Sequence, residues 1–149
     1  MEGIIQIAAS FAGSTGFAAL YHLHGKKLWI SGLGGMVCWA SYLGFQNVIE
    51  NAFLTNLFAT IAATAYAELM ARIQKTPVTV YLISAIIPMV PGGTLYYTMN
   101  YAIAKEWSLF SEYGQRTVMI AAAMAGGIMI ASSFFKMYSQ IRCYYTKKK

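Results

Sequence analysis

Five long stretches without a formal charge limit what this chain can fold into. They run Gly3–Gly25 (23 residues), Leu28–Ile49 (22), Asn51–Ala67 (17), Thr76–Ala104 (29) and Thr117–Phe135 (19). A helix crossing the hydrocarbon of a bilayer needs about 20 apolar residues. The stretches lack the strict two-residue alternation of a membrane barrel, and helices then remain as the way to satisfy the backbone in lipid. Only 11% of residues are charged, against about 25% in soluble domains, too few to coat a water-soluble globule. The sequence therefore predicts an all-α integral membrane protein. Its single membrane domain, 1–149, has five transmembrane helices, at 3–23, 28–47, 51–71, 77–103 and 117–136. The first span lacks the basic n-region of a signal peptide and is expected to stay.

Lysine and arginine placement sets the expected orientation. Loop one carries Lys26 and Lys27, and loop three carries Arg72 and Lys75. The tail carries Lys136, Arg142 and Lys147–Lys149. With five spans these nine residues share one side, against Lys105 and Arg116 on the other. The N-terminus is expected outside and the C-terminus in the cytoplasm. The net charge of +6 is then mainly a topology signal. The basic tail suits anionic lipid headgroups, and no nucleic-acid partner is implied.

Several spans carry small residues at four-residue spacing, which lets helices approach closely. Ala8, Ala12 and Gly16 recur in span one, as do Ala9 and Gly13. Span two has Gly32, Gly34, Gly35, Ser41 and Gly44; span five has the pairs Ala122/Gly126 and Ala123/Gly127. Span three instead carries a polar stripe of Asn56, Thr60, Thr64 and Glu68, with Arg72 one turn later. Polar groups in hydrocarbon turn to the bundle interior or a watery path. The stripe is either interhelical hydrogen bonding with a Glu68–Arg72 surface pair, or a hydrophilic lining with Glu68 as proton or substrate gate. Asn47, Glu50 and Asn51 suit a polar outer loop. Tyr21, Trp29, Tyr66, Trp107, Tyr113, Tyr138, Tyr144 and Tyr145 read as interfacial anchors. His22 and His24 lack a nearby third ligand and read as headgroup-level residues. Cys38 reads as a packing residue and Cys143 as a free thiol, without metal or redox spacing. No cofactor is expected.

The fourth span is interrupted by IIPMVPGGTLYY, Ile86 to Tyr97. Pro88 and Pro91 lack N–H groups, so the carbonyls of Ser84 and Ile87 are expected to be freed. Gly92 and Gly93 relax the backbone. A full turn here would carry the basic tail outside, so the run is expected to cross once with a break inside it. Non-helical backbone at that depth must be buried in protein or line a cavity. One reading is a packing kink. The other is a substrate path, with amides opening the next helix near Gly93–Thr94 and Thr94, Tyr96, Thr98 and Asn100 adding polar contacts.

The segment AELMARIQKTPVTVYLISAIIPMVPGGTLY, Ala67 to Tyr96, resembles the C-terminal membrane domain of the bacterial threonine/serine exporter family. Glu68 and Ala71–Arg72 match the acidic residue and "AR" that end one helix, and Pro77 opens the next. Ile87–Pro88, Val90–Pro91–Gly92 and Tyr96 match the interruption, with Met89 in place of the commoner leucine. Full-length members carry a second membrane domain ahead of this one. The resemblance therefore implies the split arrangement, in which a small YjjB-like subunit works with a YjjP-like membrane subunit resembling the N-terminal domain. It implies export of threonine and serine, or of a small dicarboxylate such as succinate, across the bacterial cytoplasmic (inner) membrane, drawing on the proton gradient.

The chain is thus expected to be a subunit of a secondary exporter. The alternative is a scaffold that stabilises the partner without transporting. An enzyme is not expected, because five acids and two headgroup-level histidines supply no nucleophile–base set.

Overall fold

The computed structural model describes residues 2–147, with side chains described as far as residue 141. Arg142, Cys143, Tyr144, Tyr145 and the side chain of Lys147 lie outside the described side chains, and Lys148 and Lys149 outside the described residues. The elements are α1 (Glu2–Leu20), α2 (Lys26–Gln46), α3 (Ala52–Gln74), α4 (Val78–Ile86), a 3-10 turn (Ile87–Met89), α5 (Gly92–Ile103) and α6 (Trp107–Lys147). Helices α1, α2, α3 and α6 are each long and apolar enough to cross a membrane, and α4 and α5 form a bent pair that is together long and apolar enough for a fifth span. No strand occurs among the described residues.

Local chemistry sets the helix ends. Asn51 caps α3 by accepting the Phe53 amide at 2.9 Å, satisfying a donor that the first turn leaves open. At the other end Lys75 is left-handed, with φ 49°, and the Thr76 amide reaches back to the Ala71 carbonyl at 3.0 Å. Pro77 follows, and α4 starts after it. α3 therefore runs one turn beyond residue 71, its expected end.

α2 packs against α1, α3 and α4, and α3 against α2, α4 and α6. Gly32, Gly34 and Gly35 of α2 are all buried, as are Ala123, Gly127 and Ala131 of α6. A Cβ on Gly127 would lie 2.8 Å from the Leu57 carbonyl and 2.9 Å from the Thr60 Cβ. In α1 the expected packing face turns outward. Ala8, Ala9, Ala12, Gly13 and Gly16 are exposed, and a Cβ on Gly13 or Gly16 would meet nothing within 4 Å. Ser10, Ser14 and Ala18 are buried instead. Spacing identifies such a face without saying which neighbour takes it.

The direction of α6 fixes how the broken span runs. Gly126 and Gly127 sit beside Leu57–Ile61, and Arg72 reaches Phe135. Positions rise together along both helices, so α3 and α6 are parallel. α4 and α5 together must therefore return the chain to the far side, as the single crossing requires. α4 with its 3-10 turn and α5 meet at 57°.

α6 has 41 residues, about 60 Å of helix. It begins ten residues before the expected start at 117, so loop four shrinks to Ala104–Glu106. Glu112 and Arg116, expected in that loop, are helical. Their charges mark where the apolar stretch starts, not where the helix does. This first part of α6 packs on α5 through Tyr113, which meets the rings of Tyr97 and Tyr101 at 5.6 and 5.3 Å.

Candidate functional site

At the break in the fourth span Met89 turns into the bundle, whereas Val90 is exposed. Met89 is buried with Cys38, Ala59, Ala63 and Met124. The Thr60 hydroxyl lies 3.9 Å from the Met89 sulfur. The backbone then rearranges over five residues. Pro88 cannot donate to the Ser84 carbonyl. The Ile87 carbonyl, expected to be free, accepts the Val90 amide at 3.2 Å because the chain tightens into a 3-10 turn. The Gly92 amide donates to the Val90 carbonyl at 2.7 Å, and the first bond of α5 is Leu95 N–H to Pro91 O at 3.0 Å. The Thr94 hydroxyl also donates to Pro91 O, at 3.1 Å. The Gly93 and Thr94 amides find no backbone acceptor among the described residues, as at any helix start.

Two grooves approach the break along α1. One, of about 280 Å³, is lined by Gln6, Ala9, Ser10, Trp39 and Pro88. In it the Trp39 indole donates to the Gln6 side-chain oxygen at 3.2 Å. The Ser10 hydroxyl donates to Ile7 O at 2.8 Å. The other, of about 200 Å³, lies between the end of α1 and α4, bounded by Ala18, Tyr21, Thr79, Ile83 and Ser84. Gln6, Ser10 and Trp39 had no signal of their own in the sequence. They become visible only once the break is seated between α1 and α2.

The polar stripe of α3 is buried throughout: Asn56, Thr60, Thr64 and Glu68 all lie inside. Its hydrogen bonds stay within its own helix. Asn56 donates to Ala52 O at 2.7 Å, Thr60 to Asn56 O at 2.7 Å and Thr64 to Thr60 O at 2.8 Å. Among the described residues, the Thr60–Met89 contact is the one that leaves the helix. Glu68 pairs with Arg72 at 3.6 Å, with side chains 7% and 38% exposed. The Arg72 guanidinium also donates to Phe135 O at 2.9 Å and lies 5.4 Å from that ring's centre, tying the end of α3 to α6.

The expected path residues thus fall into two groups. Pro88 lines the groove formed with α1 and α2, next to Met89, which meets the α3 stripe at Thr60. Gly92, Gly93, Tyr96 and Asn100 lie on α5, which packs on α6 and has no buried residue. Thr98, with Tyr97 and Tyr101, faces α6. Gly92, Gly93, Tyr96 and Asn100 are exposed, and a Cβ on either glycine would meet nothing within 4 Å. Of the expected anchors, Trp29, Trp107 and Tyr138 are exposed. Tyr66 is half-buried, and its hydroxyl donates to Ile30 O of α2 at 2.8 Å. His22 and His24 sit in the turn after α1, where the His24 ring meets His22 O at 2.6 Å.

No curated protein and no solved structure matches the sequence. The family model described as "Threonine/Serine exporter, ThrE" matches residues 6–134. That range takes in the α3 stripe, the break, α5 and most of the apolar part of α6. The exporter-type motif and the multi-helix membrane architecture agree with it, and the chain belongs to the threonine/serine exporter (ThrE) family.

Proposed function

We propose that the chain is a subunit of a secondary exporter of small polar metabolites, with threonine, serine or a small dicarboxylate such as succinate as cargo. The observation that carries this reading is the break at Pro88–Pro91, whose Met89 sits in the bundle core and whose Pro88 lines an open groove. Irregular backbone at such depth needs a cavity or a protein cover, and exporters use such breaks to meet cargo. Pro88, Pro91, Gly92, Gly93, Thr94, Tyr96 and Asn100 form the path side of the broken span. Asn56, Thr60 and Thr64 back it from α3. Glu68 and Arg72 are its gate and proton-coupling pair at the cytoplasmic end. The uncovered faces of α5 and α1 favour a second membrane subunit of the YjjP type, and the whole assembly sits in the bacterial inner membrane with the N-terminus outside.

The test is efflux of labelled threonine, serine or succinate from cells lacking native exporters. Cells carry this chain, its partner, both, or both with Gly92→Ala. The reading expects efflux with both chains and a loss in the variant, with co-purification showing intact assembly. Full transport by the partner alone would leave this chain as a scaffold.

A further inference from the structure

Ser14, Ser31 and Ser84 stand on α1, α2 and α4, three helices that pack on one another; the Ser84 hydroxyl donates to Val80 O and Tyr81 O of its own helix, at 3.2 and 3.4 Å. Ser14 and Ser31 are fully buried and Ser84 is 2% exposed. Ser14 lies against Gly35 of α2, where a Cβ would come within 2.6 Å of its own Cβ. Ser31 stands on α2 between Gly32, which packs on Phe11 of α1, and Gly34, which packs on Ala85 of α4. It therefore faces the junction of all three helices. Ser84 precedes Ala85 and lines the groove at the end of α1. The hydroxyls of Ser14 and Ser31 find no partner among the described residues.

Their position along the helices is the second observation. Ser10 lines the groove that reaches Pro88, and Ala18 lines the groove that reaches Ser84. Ser14 stands midway, one turn from each. On the opposite wall Ser84 and Pro88 are also one turn apart. The two grooves thus end two turns apart on α1 and one turn apart on α4, and Ser14 stands in the gap between them. An unsatisfied buried hydroxyl costs about 1–3 kcal/mol, and packing alone would favour alanine at Ser14 and Ser31.

We propose that Ser14 and Ser31, with Ser84 opposite, form the occluded binding station of the transport path, which follows the seam between α1 and α4. The cargo class is a small neutral or zwitterionic solute bearing hydroxyl, ammonium or carboxylate groups. The hydroxyls donate to its oxygens and accept from its N–H or O–H groups, and no charged side chain lines either groove. The Ser84 carbonyl, deprived of its helical donor by Pro88, offers a further acceptor. This inference rests on the exporter reading and moves the binding point from α5 to α1 and α2.

The experiment measures concentration-dependent efflux of labelled threonine and serine by the assembled exporter carrying Ser14→Ala, Ser31→Ala, both, or Ser133→Ala on the exposed side of α6. Melting temperatures of the purified proteins are measured alongside. The expected result is a raised KM in each single variant and loss of efflux in the double variant. Melting temperatures should be equal or higher, and Ser133→Ala should behave as the unmodified protein. Unchanged KM and rate in the double variant overturns the serine station while the exporter reading stands. A fall in efflux that follows a fall in melting temperature also overturns it, because the serines would then be structural. Absence of efflux from the unmodified assembly overturns both.

Discussion

Two glycines of this protein, Gly127 and Gly92, carry opposite burdens. Gly127 sits where the α3 backbone passes, and a Cβ there would lie 2.8 Å from the Leu57 carbonyl. Gly127→Ala is expected to destabilise by about 1–3 kcal/mol, the usual penalty of overpacking, and to lower the melting temperature in detergent. Gly92 has open space around it. Gly92→Ala is expected to leave the melting temperature unchanged or raise it, since alanine favours helix by about 0.5–1 kcal/mol. A fall for Gly92→Ala would mean that α5 is packed more tightly than described. Arg72 holds α3 to α6 with a planar group that donates to Phe135 O and overlies the ring. Lysine keeps the charge and loses that geometry. Arg72→Lys is expected to cost about 0.5–1 kcal/mol, and an unchanged melting temperature would remove Arg72 as the tie between these helices.

The element that departs most from a regular bundle is the α4–α5 span. Two prolines within four residues leave the chain without N–H donors at Pro88 and Pro91, and the 57° bend follows. Pro88→Ala with Pro91→Ala restores both donors and is expected to straighten the span. Spin labels at the exposed positions Ile83 and Met99 should then move apart, as read by pulsed dipolar spectroscopy. An unchanged distance would place the cause of the bend in the packing of α5 on α6. Much of this was legible beforehand, because proline chemistry is local: the break, its place and the start of α5 all follow from residues 86–94. The α3 stripe was legible as a buried face by its spacing of four. Three things were not. α6 begins at Trp107 because Tyr113 packs on Tyr97 and Tyr101, a tertiary contact with no local mark. The small residues of α1 face outward because Ser10, Ser14 and Ala18 take the inward face, and serine and alanine fit either face. Gln6 and Trp39 are 33 positions apart, and only the fold brings them together.

Across the whole molecule, the parallel course of α3 and α6 requires α4–α5 to cross the bilayer, and the lysine and arginine bias sets which end is outside. A cysteine at Lys75 is expected to react only with reagents that reach the cytoplasm, and one at Ala104 with impermeant reagents added outside. The reverse pattern would invert the topology, and labelling of both from one side would make α4–α5 a re-entrant loop. The bundle gives α6 a mechanical character that no other helix here has. It is a long rod whose backbone passes close to α3 at Gly127. The contact of Thr117 with Thr98 of α5 lies ten residues to one side, about 15 Å along the axis. The tie of Phe135 to Arg72 lies eight residues to the other, about 12 Å. A rod pivoting at Gly127 between such arms would work as an oar in a rowlock: drawing α5 inward at one face of the membrane would swing the Phe135 end outward at the other. Two label pairs, one across each arm, would then change length with opposite signs during transport, whereas changes of the same sign would make α6 a sliding strut.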